Sequence, residues 1–149
     1  MAKIDGYDFP DELYYHDEHS WAKVEDDGNV RVGMNAFFQA TSGSIIYVDL
    51  PYEDDDVEFG EVCGKIQSRK WIGNLCSPVS GSVIAVNEEL ENDATLINGD
   101  PYGEGWILLI EPSNLEEDLA KLMQGDKLVE WVKKEIKKAE EIISDSEDD

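Results

Sequence analysis

The chain has 149 residues, 41% of them hydrophobic, and a formal charge of −23 from 35 acidic against 12 basic side chains. This is enough apolar material for one core, near the usual size of a single domain. So negative a chain is repelled by phosphate backbones and anionic lipid, which argues against nucleic acid and membrane as partners and for a soluble monomer that docks on basic clefts. No apolar run approaches the length of a membrane span, and the opening MAKIDGYDFPDEL lacks the basic and apolar regions of a secretion signal, so a cytoplasmic location is expected.

From Trp21 to Ile110, short apolar runs alternate with turn residues: WAKVE, DDGN and VRVGM, then SIIYVDLP, YEDDD and VEFGEVCGKI, then SPVSGSVIAV and EGWILLI. Such spacing predicts antiparallel strands. NAFFQAT, from Asn35 to Thr41, reads as a short helix ahead of Gly43, and Asn87 to Leu96 as a helical turn or an irregular loop. After Pro112, Ser113 as N-cap and Glu116 as its capping-box partner predict a helix that stops at Gly125. Asp126 then caps a second helix, whose Leu128, Val132, Ile136, Ala139 and Ile143 form one apolar stripe.

The basic residues are unevenly placed: between Arg31 and Lys121 stand only Lys65, Arg69 and Lys70. Two apolar segments, EVCGKI and SPVSGSVIAV, flank QSRKWIGN, as in a hairpin with Lys70 at its tip. A turn centred between Arg69 and Lys70 sets Cys63 opposite Cys76, which makes them a candidate redox pair, bonded or held as two buried thiols. His16 and His19, with Asp17 and Glu18 between them, match no metal signature and are read as structural or surface residues. Asp54, Asp55 and Asp56 lack a calcium-loop pattern and read as a solvated turn. Gly103 and Gly105 precede a strand-like run without the dinucleotide spacing and read as turn residues. No nucleophile with base and orienter and no phosphate loop is visible, so the chain is not expected to be an enzyme in its own right.

SRKWIGNLCSPVSGSVIAVNEEL, followed by LINGDPYGEGWILLI, resembles the lipoyl region of glycine cleavage system H proteins, in which a lysine precedes a strand opening with Ser-Pro-Val-Ser-Gly. Counting back from Ser77–Gly81 puts Lys70 at the lipoylated position. The likeness extends through His16, Glu18, His19 and Trp21, through Asp49, Leu50 and Pro51, and through Asn87, Asn98, Pro101 and Trp106, covering roughly residues 5 to 130. It implies a mainly β fold, a flattened lipoyl-type barrel of two antiparallel sheets (a barrel-sandwich hybrid) with C-terminal helices. The corresponding division is a carrier domain over 1–125, an extended helix over 126–143 and a disordered acidic tail over 144–149.

The resemblance implies covalent lipoate on Lys70, attached by a lipoate ligase or lipoyl transferase. The arm would carry an aminomethyl group between glycine decarboxylase, aminomethyltransferase and dihydrolipoamide dehydrogenase. Gln67, Ser68, Arg69 and Trp71 would form its surroundings, and they depart from the family pattern, in which Glu usually stands three residues before the lysine and small residues follow it. That departure also fits H-like lipoate-binding proteins, which pass sulfur intermediates to heterodisulfide-reductase-like complexes, and an unmodified scaffolding homologue remains a third alternative. Biotin carriers set their lysine between methionines, and here Arg69 and Trp71 occupy those places.

Overall fold

The computed structural model describes residues 2–4, 7–10, 12–68 and 72–147, with backbone alone for 2–4, Gln39, Ala40, Ser42 and 139–147. Its first strands are β1 (Ala2–Ile4), β2 (Tyr7–Phe9), β3 (Tyr14–Tyr15), β4 (Ser20–Val24) and β5 (Val30–Met34), followed by helix α1 (Ala36–Ser42). The central strands are β6 (Ile45–Asp49), β7 (Asp56–Val57), β8 (Val62–Ser68), β9 (Ile72–Cys76) and β10 (Gly81–Val86). Short helices α2 (Glu89–Asn92) and α3 (Leu96–Gly99), strand β11 (Leu108–Pro112) and helices α4 (Leu115–Lys121) and α5 (Gly125–Glu147) complete the chain.

The strands form a six-stranded antiparallel sheet in the order β3-β4-β5-β11-β10-β7, a three-stranded antiparallel sheet in the order β6-β8-β9, and the separate β1-β2 hairpin. The two larger sheets do not pair with each other, so the expected two-sheet β fold is present and the expected barrel stays open. Their facing side chains, including Val30, Val32, Val83, Leu108 and Ile110 from one sheet and Ile45, Val48, Ile66 and Leu75 from the other, make one core. The β4–β5 turn closes on Gly28 at φ +88°, a left-handed position that suits glycine, with the Glu25 carbonyl accepting from its N–H at 2.9 Å.

Helix α1 begins where the sequence places it. The Asn35 side-chain oxygen accepts from the Phe38 N–H at 2.8 Å, although Asn35 is fully buried. The region after Asn87 resolves into α2 and α3, and the Asn87 amide donates to the Glu104 and Trp106 carbonyls at 2.9 and 2.7 Å. Helix α4 is capped at Asn114 instead of Ser113, and Asn114 donates to the Glu117 carboxylate at 2.7 Å, so the expected box with Glu116 does not form. The Ser113 N–H is already committed to the Ser80 carbonyl at 2.9 Å, which ties that residue to the strand before it. Nor is Gly125 the stop of α4, whose C-cap is Leu122. Gly125, with φ +59°, opens α5. Helix α5 runs on to Glu147, past the expected end at 143, because Ser144, Asp145 and Ser146 include no breaker, and residues 148 and 149 lie outside the described residues.

Helix α5 folds back. Leu128 and Val132 are buried with Phe9, Leu13, Tyr15, Trp21, Phe37 and Met123 in a second cluster, and Ile136 packs at its margin. Ala139 and Ile143, the rest of the stripe, lie outside the described side chains. Over this cluster His19 packs against Trp131 at 4.9 Å, Phe37 at 5.8 Å and Phe38 at 6.0 Å between ring centroids. Because the Asn35 oxygen serves Phe38, its amide faces His19 Nδ1 at 3.5 Å, which assigns the ring proton to Nε2. Burial lowers the His19 pKa to about 4. Asp17 opposes that shift and Lys138 adds to it, and the Glu135 carboxylate at 3.8 Å is too distant to offset the lost hydration, so the ring stays neutral.

Two outcomes follow for stability. Leu128→Ala should cost about 2–4 kcal/mol in urea unfolding, while Lys127→Ala stays within about 0.5 kcal/mol. For His19 the unfolded ring binds its proton at higher pH than the folded one, so its contribution is complete above pH 6.5 and is lost as pH falls toward about 4. The stability advantage of the native chain over His19→Asn should therefore shrink by about 1.4 kcal/mol per pH unit across that window. A constant difference between the two proteins would show that His19 does not titrate this way.

Candidate functional site: the hairpin of β8 and β9

The hairpin is set by its register. Gly64, Lys65, Ile66 and Gln67 pair with Leu75, Asn74, Gly73 and Ile72, so the ladder has its midpoint between positions 69 and 70. Three residues, Arg69, Lys70 and Trp71, connect the strands, and they lie outside the described residues. Ile66 and Ser68 are buried at the root of the connection, whereas Ile72 is 64% exposed. Ser68, expected in the surroundings of the arm, stands buried at the base of the hairpin. Gln67 is half-buried and pairs with Tyr47 on one side and Ile72 on the other, and Tyr47 is 58% exposed. The next row is Asp49, Lys65 and Asn74, which places the only other lysine of this region inside a paired strand.

The cysteines do not face each other. A bulge between Val62 and Gly64 puts Val62 opposite Cys76 and leaves Cys63 without a partner in the ladder, which shifts the expected pairing by one residue. Both thiols are free. Cys63 donates to the Leu75 carbonyl at 3.5 Å, and burial, with Cys76 nearby, pushes its pKa up to about 12. Burial also raises the Cys76 thiol. Thiols held this far from the thiolate are poor nucleophiles, so the geometry favours packing over redox work.

Behind the hairpin, Ser77 to Gly81 turn the chain from the smaller sheet into the larger. The Ser77 hydroxyl donates to the Val79 carbonyl at 2.6 Å, and the Ser77 N–H donates to the Glu61 carbonyl at 2.9 Å. The Ser80 N–H donates to the buried Asp118 carboxylate at 2.7 Å, while its hydroxyl accepts from the Phe59 N–H at 2.9 Å. A Cβ at Gly81 would collide with the Glu111 carbonyl and come within 2.8 Å of Ile110. The residues that mark the sequence as lipoyl-like are thus structural ones.

The remaining candidates also have structural surroundings. His16 is buried against Phe59, with ring centroids 5.1 Å apart, and its Nδ1 accepts from the Glu18 N–H at 3.0 Å. Burial lowers its pKa. Among the described residues no group of three or more His, Cys, Asp or Glu side chains is placed to hold a metal ion. Asp54 to Asp56 are exposed and lead into β7, and Gly103 and Gly105 lie in the turn before β11. No helix of the described residues is long and apolar enough to cross a membrane. Sequence reasoning missed the exposed tyrosines Tyr47, beside Gln67 of the hairpin, and Tyr52, in the turn after β6. Its one signal was that SIIYVDLPY breaks strict alternation, which a bulge between Ile45 and Tyr47 explains.

A family model described as glycine cleavage H-protein matches residues 13–135. A "Probable glycine cleavage system H protein" of Pyrococcus abyssi is 44% identical over 133 residues, covering 89% of this chain and 98% of the relative. A glycine cleavage system H protein of Halalkalibacterium halodurans is 40% identical over 126 residues, covering 85% and 97%. Among solved structures, the crystal structure of a glycine cleavage system H protein from Mycobacterium marinum aligns with a TM-score of 0.68 at 30% identity, covering 76% of this chain and 98% of that one. With the family model spanning most of the sequence and the relatives matched over nearly their whole length, this chain belongs to the glycine cleavage H-protein family.

Proposed function

We propose that Lys70 bears a covalently attached lipoyl group, and that the chain is a non-catalytic carrier which takes the aminomethyl cargo of glycine cleavage from one enzyme to the next. The observation behind this is the register of β8 and β9, whose midpoint falls beside position 70 in a chain of this family. The described residues suit such a group: the strands are paired up to Gln67 and Ile72, and Ile66 and Ser68 are buried at the root. The base of the arm is then rigid and the reach comes from the lysine stem. Lys65 is a poor substitute, since it stands within β8 between Asp49 and Asn74.

The lipoyl group supplies a disulfide that accepts cargo on one sulfur and is restored by thiol–disulfide exchange at a flavoenzyme. The protein's part is to present and to dock. A lipoate ligase or lipoyl transferase attaches the group, and glycine decarboxylase, aminomethyltransferase and dihydrolipoamide dehydrogenase use it in turn. Arg69 and Trp71 flank the arm and Gln67 lies on the adjacent outer face, so these residues bear on which partner fits more than on folding. The glycine cleavage relatives favour that pathway over a heterodisulfide-reductase-like sulfur system.

Mass spectrometry after co-expression with a lipoate ligase should show one lipoyl increment on the native chain and none on Lys70→Ala. The thermal stability of that variant should stay within about 0.5 kcal/mol of the native value. Lipoylated Lys70→Ala would defeat the site assignment. The loaded protein, offered to glycine decarboxylase with labelled glycine, should acquire label at a rate that falls as salt rises. Loading without label transfer would defeat the glycine reading and leave the carrier reading with a sulfur cargo.

A further inference from the structure

The smaller sheet has two edges, and one of them, β6, borders a groove of about 740 Å³ that runs between this strand and α2. Among the described residues β6 pairs only with β8; on its other side the Ile45 N–H donates to the Asn98 side chain at 2.9 Å, and the stretch from Ile46 to Asp49 borders the groove with its strand edge. Native proteins commonly guard such edges with lysine or proline. Here Pro51 stands just beyond the end of the strand, and the charged groups along the groove are carboxylates, Asp49 and Glu53 on one wall and Glu88 and Glu91 on the other, with no lysine or arginine in the lining. Tyr47 and Tyr52, 58% and 81% exposed, add aromatic surface along the same wall.

This combination selects its occupant. A second copy of the chain carries −23 and is repelled from an acidic edge. A cationic extended segment gains three times: main-chain hydrogen bonds along the strand, charge pairing with the rim, and contact of ammonium or guanidinium groups and apolar side chains with the tyrosine rings. The four residues from Ile46 to Asp49 accommodate a short segment. Tyr47, which lines the groove, also pairs with Gln67 of β8, two residues before the connection at 69–71.

We propose that the open edge of β6 takes a lysine- or arginine-bearing extended segment of a partner protein as an added strand, with its cations facing Asp49, Glu53, Glu88 and Glu91. This goes beyond the carrier reading and does not depend on it, since the groove exists whether or not Lys70 is modified.

The test uses the full unmodified chain, isotopically labelled, titrated with a synthetic hexapeptide of alternating lysine and valine. Two further versions carry backbone N-methyl groups, one at the lysine amides and one at the valine amides, which preserve charge and side chains but remove donors. Shift changes should centre on β6 and α2, and one of the two methylated peptides should bind about tenfold more weakly than the parent, a loss of about 1.4 kcal/mol. The double variant Glu88→Gln, Glu91→Gln should also bind the parent peptide about tenfold more weakly than Asp26→Asn, Glu116→Gln, which removes the same charge from exposed positions elsewhere. Strand addition here is overturned if both methylated peptides match the parent, if the two charge variants weaken equally, if the shifts centre on β9, or if the parent fails to bind at about 1 mM.

Discussion

The contact on which the site depends is the approach of Gly81 to the Glu111 carbonyl, where no side chain fits. At this point the chain leaves the smaller sheet and enters the larger, and Gly81 pairs with Pro112 on one side and Val57 on the other. Ser77 and Ser80 surround the corner with hydrogen bonds to Val79, Glu61, Phe59 and Asp118. A hairpin is only as well aimed as its attachment. Since β9 ends at Cys76, one residue before this corner, the direction of the ladder that leads to Lys70 is set there. Burying the Asp118 carboxylate against a backbone N–H is expensive unless the bond is made, which favours a single arrangement of corner and α4.

The fold was legible where a local rule coincided with the tertiary one. Alternating apolar runs gave the strands, Asn35 marked the start of α1, and the spacing of Leu128, Val132 and Ile136 identified the face that α5 lays on Trp21 and Phe9. It was illegible where long-range bonding overrode a local preference. Ser113 is a good N-cap by type, but its N–H is held by Ser80, so the cap passes to Asn114. The two-residue periodicity of β8 placed most of the ladder correctly, yet the bulge at Cys63 separated the two cysteines whose pairing had been read from the same arithmetic. A bulge has no composition signature, so counting along strands cannot reveal it. Strands as short as β1, β2 and β3 escaped for a related reason: two or three residues are too few to show a period.

The candidate site was legible in a different way. Lys70 is proposed from its distance to Ser77–Gly81, residues whose roles are packing and hydrogen bonding, while the lysine itself has no neighbourhood in the sequence that marks it chemically. The signal belongs to the scaffold, and it carries to position 70 because β9 pairs with β8 without a break from Leu75 to Ile72. The groove beside β6 lacked even that, since its two walls, residues 46–53 and 86–91, are brought together by the fold and neither carries a motif.

Charge and rigidity then divide the work. An acidic body gives long-range attraction to basic partners, and it acts on approach over roughly the Debye length, about 8 Å at physiological salt. It does not select among basic partners. Selection requires features near the hairpin that differ from the acidic background, and the chain supplies two kinds: the basic residues Lys65, Arg69 and Lys70, and the exposed side chains of Tyr47 and Ile72 on either side of Gln67. On the proposed carrier reading, a partner steered in by the field would meet Tyr47, Gln67 and Ile72 on paired strands next to the connection that holds position 70. Holding these side chains on paired strands keeps the ordering entropy of docking low, so that on the proposed carrier reading the lysine stem would be the main part that must search.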